Sequence, residues 1–525
     1  DAQGRLVTPG WVDIHTHYDG QVTWDPHLSP SGGMNGVTSV VMGNCGVGFA
    51  PVRPDRYEWL VELMEGVEDI PGTALSEGIQ WKWESFPEYL DALDAMPRSL
   101  DVGTQIPHGA VRAYVMEERG AQNEKATPED IASMGDIVAE SLRAGALGFS
   151  TSRTMLHRSK NGELVPGTFA DNAELLGIAR AMGEAGAGVF ECASDLADEE
   201  KELGWMHEFS KLSGRPVSFA CLQNDMDKTQ YRRLLEASDR SAAEGGNLRP
   251  QVAARPAGML MGLESSLHPF IACEAYRGLA HLSLEERVAQ MRKPEVRKAI
   301  LESPPVSNAP MVTFISLAFH KLFPLGDPPD YEPGPEKSVR AIADRENRDP
   351  KEVAYDLLLE KNGKELLYFP VLGYSNGNFD DLREMMLHPR SVFGLSDGGA
   401  HCGLICDASI PTYLLTHWGR DRSRGEKIPI EMLVASQTRE TAALYGLHDR
   451  GVIAPGMKAD LNVIDFEALR IRIPEMAYDL PTGARRLMQQ VEGYDYTVCS
   501  GQVTFERGEA TGAMPGRLIR GAQSA

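Results

Sequence analysis

Two histidines separated by one residue stand near the start of the chain, where His15 and His17 flank Thr16. Alternate side chains of a β-strand point to the same face, so in a strand both imidazoles would face one point. Two imidazole nitrogens that converge in this way suit zinc or a similar divalent ion. The alternative is one solvent-exposed histidine and one whose polar atoms are satisfied in the core.

A second polar motif lies far downstream, where Asp397 and His401 enclose two glycines after the apolar run 391–395. Side chains at the carboxyl ends of parallel strands meet at one end of a barrel, so Asp397 could lie beside the two histidines. A carboxylate that touches both a metal ion and water can take a proton from that water and later return it. We predict Asp397 as a metal ligand and general acid/base, with a turn or N-cap role as the alternative.

Cys45 follows the apolar run 37–42 and is followed directly by Gly46. Glycines beside a cysteine let the backbone bring a thiolate close to an ion. A cysteine after an apolar strand can equally be a small core residue. Both interpretations stay open at this point.

The composition is that of an ordinary globular protein, with 42% apolar and 24% charged residues among 525. A net charge of −23 argues against nucleic acid or an anionic membrane as a partner. Seven scattered cysteines predict reduced thiols and a cytoplasmic location. The chain opens on Asp1 instead of Met, which leaves an upstream targeting segment open.

Short apolar runs alternate with amphipathic helical stretches along most of the chain, which predicts an α/β protein built on a TIM-like (β/α)₈ barrel. The eight predicted strands are 10–17, 37–42, 102–107, 146–151, 188–192, 216–222, 249–254 and 392–396. Two stretches exceed a minimal barrel: a tryptophan-rich excursion at about 53–98 and a predicted helical subdomain at about 265–367. Tight turns and period-two alternation predict β-structure at 451–464 and 494–507.

Several motifs, taken in order, resemble the amidohydrolase superfamily and within it the N-acyl-D-amino-acid deacylase (D-aminoacylase) family. They are the segments 9–17, 43–46, 145–151, 397–401 and 451–460. The resemblance implies a metal-bearing barrel beside a small β-sandwich built from both chain ends. We therefore predict residues 1–7 as a remnant of the N-terminal sandwich half, 8–445 as the barrel, and 446–525 as the C-terminal sandwich half and tail.

The resemblance also implies that Cys45 is a metal ligand, in the place of the carboxylated lysine of other amidohydrolases. The family's two further ligand histidines, on the fifth and sixth strands, are missing from 189–194 and 217–223. Cys221 stands near the sixth-strand position, as a soft ligand or as a packing residue. We expect one zinc ion held by His15, His17, Cys45 and Asp397, with a second ion as the alternative.

The residues with which the family grips the substrate carboxylate have no clear counterparts in this chain. The replacement candidates are Arg153, His157 and Arg255, each of which could instead make a salt bridge that holds loops together. His108 resembles a histidine found near the site in the family. His401 could orient nearby groups of the site, with a structural or surface histidine as the alternative.

These features predict a metal-dependent hydrolase of a C–N amide bond, acting on an N-acyl (D-)amino acid or a related acylated amine. Two alternatives stay open. One is a hydrolase of a cyclic amide, carbamate or lactone on the same scaffold. The other is a catalytically weakened barrel that serves as a binding or assembly subunit. The expected partners are a small-molecule substrate and further copies of the chain in a homo-oligomer, without nucleic acid or membrane.

Overall fold

The structure is a computed structural model that describes residues 2–306 and 310–521. Within these residues the strands are β1 Leu6–Pro9, β2 Trp11–Asp13, β3 Val37–Met42, β4 Asp101–Thr104, β5 Ile106–Pro107, β6 Gly148–Arg153, β7 Val189–Ser194, β8 Val217–Ala220, β9 Leu248–Val252, β10 Ala257–Met261, β11 Phe323–Pro324, β12 Leu367–Leu372, β13 Val392–Phe393, β14 Leu461–Ile464, β15 Arg470–Ile471, β16 Glu475–Leu480, β17 Ala484–Met488, β18 Val491–Glu492, β19 Tyr494–Cys499, β20 Gln502–Glu506 and β21 Glu509–Ala510.

The α-helices of the same residues are α1 Gly32–Asn35, α2 Tyr57–Glu68, α3 Gly72–Gly78, α4 Phe86–Asp94, α5 His108–Met116, α6 Glu118–Ala121, α7 Pro128–Ala144, α8 Asn172–Ala185, α9 Glu199–Ser213, α10 Gln230–Ala243, α11 Glu274–Arg277, α12 Leu284–Met291, α13 Pro294–Glu302, α14 Pro310–Leu317, α15 Val339–Glu346, α16 Pro350–Leu358, α17 Asp380–Leu387, α18 Ile410–Tyr413, α19 Ile430–Ala435 and α20 Thr441–Leu444. Two π-helical segments span Leu414–Asp421 and Ser436–Glu440.

Parallel strands follow one another around the core in chain order. One sheet has the order β2-β3-β4, and the other runs β5-β6-β7-β8-β9-β13. Only Gln105 separates β4 from β5, and an isolated parallel bridge from Thr16 to Gly398 links the chain after β2 to the chain after β13. Each of the eight predicted strands coincides with a stretch of these sheets, which confirms an α/β fold with parallel strands. In the described part of the chain, no ladder joins the two sheets.

The first and last strands are shorter than predicted, because side chains replace ladder hydrogen bonds at their carboxyl ends. β2 ends at Asp13, whose Oδ1 accepts the backbone N–H of His15 at 3.3 Å. Beyond β13, the Ser396 hydroxyl contacts Asp13 Oδ2 at 2.5 Å and the His15 carbonyl oxygen at 3.0 Å. The polar motifs at both strand ends are therefore cross-linked to each other.

Amphipathic helices cover the outer faces of the parallel strands, as buried parallel sheets require. Helix α7 shows how the sequence starts and ends one of them. Thr127 and Asp130 form a reciprocal capping box at its start, and Gly145 with φ of 120° ends it. Its buried face includes Met134 and Leu142.

The two predicted insertions have distinct structures. The stretch 53–98 forms α2, α3 and α4, and α2 turns Leu60, Leu63 and Met64 into the main core. The stretch 265–367 supplies α11 to α16, which pack around a second apolar cluster. A three-stranded antiparallel sheet, β10-β12-β11, adjoins these helices and was not predicted, since its apolar runs read equally well as buried helix segments.

The two ends of the chain meet in one antiparallel sheet with the order β1-β14-β19-β20-β21. Leu6 of β1 lies opposite Ile464 of β14. Two further two-stranded ladders, β15-β18 and β16-β17, complete the β-structure of this region in the described residues. A two-sheet sandwich stays a prediction.

The described residues also show the state of the cysteines and the lengths of the helices. All seven cysteines lie in the described part of the chain, and each is a buried free thiol. The longest α-helix there, α7, has 17 residues. Within residues 2–306 and 310–521, no helix combines the length and apolar character needed to cross a membrane.

Candidate metal centre

The imidazoles of His15 and His17 lie side by side just beyond β2, with ring centroids 5.4 Å apart. Between them, the Thr16 hydroxyl donates to the Val41 carbonyl oxygen at 2.9 Å. The His17 backbone N–H donates to the Gly398 carbonyl oxygen at 2.8 Å. These bonds hold the backbone between the neighbouring strands and leave both histidine side chains only 1% exposed.

Cys45 brings a thiol to the same point. Its Sγ lies 3.4 Å from His15 Nε2, and His15, His17 and Cys45 each offer a ligand atom within 4.8 Å of the others. The loop after β3 is tight: Cys45 has φ of 55°, and a Cβ on Gly46 would lie 2.7 Å from a backbone nitrogen of β6. Burial, and next the Glu191 carboxylate, raise the pKa of the Cys45 thiol. A positive charge at this point would therefore be needed to hold the thiolate.

Asp397 joins the group from the loop after β13. Its Oδ1 lies 3.4 Å from His15 Nε2 and 3.6 Å from His17 Nε2. Burial alone would favour the protonated acid, but His17 and His15 hold the pKa of Asp397 well below its usual range. The Asp397 side chain is 22% exposed, so it is the member of the group that a substrate can reach most easily.

The second nitrogen of each histidine faces an oxygen that the sequence analysis missed. His15 Nδ1 lies 2.6 Å from Gln251 Oε1 on β9, so this nitrogen donates and Nε2 keeps its lone pair toward the group. His17 Nδ1 lies 3.3 Å from Oε1 of Glu68, the last residue of α2. A polar residue inside an apolar strand was the available signal for Gln251. The sequence carried no comparable signal for Glu68, because this residue lies in the inserted stretch 53–98 and outside the predicted strands.

The pKa values of the two histidines are shifted in opposite directions. Burial lowers the pKa of His15 to about 4. Burial would also lower the pKa of His17, but Glu68 and Asp397 raise it to about 9. The difference arises because His17 has two carboxylates beside it, whereas His15 has an amide on one side.

The donor atoms fit zinc. Two imidazole nitrogens and one cysteine sulfur are a common zinc ligand set, and a carboxylate oxygen can add to it. Oxygen atoms that accept the second ring N–H orient such ligands and fix their tautomer. Among the described residues, His15, His17 and Cys45 are the group of three that could hold an ion.

Cys221 lies outside this group of three described residues, which favours the packing role left open for it. Its side chain is part of the main apolar core. Burial raises the pKa of the thiol to about 12, and no charged neighbour contributes. A thiol in such surroundings behaves as a small apolar residue.

His108 and Arg153, two predicted substrate-binding residues, are engaged elsewhere. His108 Nδ1 lies 2.8 Å from Thr151 Oγ1, and its Nε2 lies 2.8 Å from Glu174 Oε1. Arg153 donates to both carboxylate oxygens of Glu202 at 2.8 and 2.7 Å. These contacts tie the start of α5 and the end of β6 to helices α8 and α9.

His157 and His401 lie beside the metal group. His157 Nδ1 is 3.0 Å from Ser152 Oγ, and burial followed by the nearby His401 and His17 lowers its pKa to about 3. His401 Nε2 lies 3.7 Å from Glu68 Oε2, and the His401 backbone N–H donates to the Glu68 carbonyl oxygen.

Arg255 follows β9 and is almost fully buried. Its Nε donates to Asp407 Oδ1 at 2.9 Å, and the guanidinium lies 4.1 Å from the ring centroid of Tyr331. Its Nη1 has no hydrogen-bond partner within the described residues. A buried charged donor without an acceptor is costly.

Known proteins resemble this chain in sequence and in fold. The sequence profile of the amidohydrolase family matches residues 1–505. A D-aminoacylase of Alcaligenes xylosoxydans xylosoxydans is 25% identical over 470 residues, covering 89% of this chain and 79% of that protein. An N-acyl-D-glutamate deacylase of the same organism is 26% identical over 531 residues, covering 99% of this chain and 87% of that protein.

A solved structure shares the fold. The N-acyl-D-glutamate deacylase of Bordetella bronchiseptica, determined with zinc and a phosphonate that mimics the tetrahedral intermediate, superposes with a TM-score of 0.60 at 20% identity. The match covers 99% of this chain and 90% of that chain.

Proposed function

The chain belongs to the amidohydrolase family and is a hydrolase of carbon–nitrogen bonds other than peptide bonds; on that premise we propose that it removes the acyl group from an N-acyl-D-amino acid. The observation that carries the proposal is the convergence of His15, His17 and Cys45 beside the accessible Asp397 carboxylate. Two relatives that align with most of the chain are named for deacylation of D-amino acids, which favours this substrate class.

The ligand residues and Asp397 would have separate roles in the reaction. His15, His17 and Cys45 would hold zinc, and Asp397 would add a carboxylate oxygen. Bound zinc would act as a Lewis acid that polarises the amide carbonyl and lowers the pKa of water. Asp397 accepts the proton of the attacking water and returns it to the departing nitrogen, so that a neutral amine leaves. The nearby His17 and His15 lower the pKa of Asp397, which keeps the carboxylate ionised.

Arg255 is the substrate-binding candidate with the strongest support. Its free Nη1 could donate to the carboxylate of an N-acyl amino acid, while Asp407 and Tyr331 hold the guanidinium in place. An arginine fixed in this way recognises carboxylates well. His157 and His401 would line the same entrance.

We extend the proposal to the architecture. The eight parallel stretches would close into a (β/α)₈ barrel over 8–445, with the Thr16–Gly398 bridge at the seam. Residues 1–7 and 446–525 would form the two halves of the small β-sandwich, for which the β1–β14 pairing is the support. Seven free thiols support a reducing, cytoplasmic location.

A substrate panel tests the proposed activity. Zinc-loaded protein is assayed with N-acetyl-D-amino acids, their L-enantiomers, N-acetylated amines without a carboxylate, and cyclic amides. We expect turnover of the D-series, with Asp397→Asn as the inactive control. Preference for cyclic amides would instead indicate a hydrolase of cyclic amides on the same scaffold. No turnover of any member by a zinc-bound, folded protein would contradict the proposal.

A further inference from the structure

Glu68 occupies an unfavourable position for a carboxylate. It is the last residue of α2, where the helix dipole presents partial negative charge, and it is 2% exposed. A buried carboxylate at a helix C-terminus costs free energy twice, through lost hydration and through repulsion by the terminal carbonyl groups. Something in its surroundings must offset both costs.

The groups that face Glu68 are two histidines of the site. Oε1 lies 3.3 Å from His17 Nδ1, and Oε2 lies 3.7 Å from His401 Nε2. Within the described residues, these two histidines are its ion-pair partners, and neither Glu68 Oε1 nor His17 Nδ1 makes a hydrogen bond. The carboxylate is therefore aimed at the outward nitrogen of His17, whose other nitrogen faces Asp397.

The backbone and the next residue fix this arrangement. The Glu68 carbonyl oxygen accepts the His401 backbone N–H. Asp69, with φ of 50°, accepts the Gly403 backbone N–H at 3.1 Å and the Ser266 hydroxyl at 2.9 Å. The end of α2 is thus clamped to the loop that carries Asp397 and His401, and to the start of the second insertion.

We propose that Glu68 is a positioning residue of the metal centre: it accepts the Nδ1 proton of His17, turns Nε2 toward the ion, and anchors the loop of His401. The inference rests on the proposed zinc centre. It makes the excursion 53–98 a working part of the site, because this excursion supplies the oxygen that orients one of the ligand histidines.

Two variants of Glu68 and one matched control test the proposal. Glu68→Ala removes the acceptor, and Glu68→Gln keeps an acceptor oxygen without the charge. Glu65→Gln is the control, since Glu65 lies on the same helix but pairs with Lys160 at 2.8 Å. Zinc affinity is measured on metal-free protein by competition with a chelator, and thermal unfolding of the metal-free forms checks the fold.

We expect Glu68→Ala to weaken zinc binding about 10- to 100-fold, the range for residues that orient metal ligands. Glu68→Gln should recover part of that loss, and Glu65→Gln should bind zinc like wild type. Cobalt-substituted Glu68→Ala should show shifted visible absorption bands, because His17 turns, while the thiolate-to-metal band of Cys45 remains. A purely structural role would leave those bands unchanged.

The outcomes separate the two proposals. Wild-type affinity and an unchanged cobalt spectrum in folded Glu68→Gln and Glu68→Ala would overturn the role of Glu68 and leave the zinc centre standing. A wild-type protein that binds neither zinc nor cobalt would overturn both. Should Glu68→Ala not fold, Glu68→Gln decides, because it must still bind zinc more weakly than wild type.

Discussion

A buried ion pair braces the loop that carries Cys45. Arg112 donates to both carboxylate oxygens of Glu174, and His108 Nε2 lies 2.8 Å from the same carboxylate. All three side chains are buried. The residue after His108 donates its backbone N–H to the Gly46 carbonyl oxygen at 3.0 Å, directly beside Cys45. Glu174→Gln therefore tests how much this network stabilises the fold.

The expected loss of stability follows from the pKa of Glu174 and, separately, from the usual cost of breaking a buried ion pair. Burial alone would raise the pKa of Glu174, but His108 and Arg112 lower it from 4.5 to about 2. A shift of roughly 2.5 units corresponds to about 3 kcal/mol of stability. Breaking a buried ion pair by removing one partner costs about 3–5 kcal/mol, because the other charge is left uncompensated. We expect Glu174→Gln to lower the free energy of unfolding by about 3 kcal/mol at neutral pH.

The pH dependence has a definite sign. Since the folded state holds the pKa of Glu174 below its unfolded value, the stabilisation is complete above pH 4.5 and is lost as the pH falls toward about 2. Glu174→Gln should remove this part of the acid sensitivity. The stability difference between wild type and variant should therefore shrink as the pH falls through that window.

Urea unfolding at neutral pH, followed by tryptophan fluorescence, measures the effect as a shift of the transition midpoint. The control is Glu184→Gln, an exposed position on the same helix α8, which should unfold like wild type. A Glu174→Gln variant as stable as wild type at neutral pH would refute the assignment of this network as a stabilising ion pair.

Three further predictions concern the site. Asp397→Asn should lower kcat about 100-fold or more while the protein stays folded, as measured by steady-state turnover of the best substrate of the panel. Cys45→Ala should reduce bound zinc in elemental mass spectrometry of purified protein, whereas Cys221→Ala, in the apolar core, should bind as much as wild type. Arg255→Lys keeps a cation for Asp407 but removes the free Nη1, so KM for carboxylate substrates should rise about 10-fold with kcat nearly constant.

The sequence predicted those parts of the site that depend on local spacing. His15 and His17 share a face because they are two residues apart in an extended stretch, and their nearness to Asp397 follows from the order of parallel strands. The eight strands could be predicted for the same reason, since each is a short apolar run between helical segments.

Residues that act through partners distant in the chain were beyond this reasoning. Gln251 and Glu68 orient the histidines only because packing brings β9 and α2 against them. Arg153, a candidate for contact with the substrate, forms an ion pair with Glu202 of helix α9. The charge of a residue at a strand end does not tell whether a neighbouring helix supplies its counterion.

Zinc K-edge X-ray absorption on the purified, zinc-loaded protein tests the central claim most directly. A zinc ion held by His15, His17 and Cys45 should show one sulfur neighbour at about 2.3 Å and nitrogen or oxygen neighbours at about 2.0–2.1 Å. The sulfur contribution should vanish in Cys45→Ala and persist in Cys221→Ala. Zinc bound in the wild type without any sulfur neighbour, or a folded protein that binds no zinc, would contradict the account.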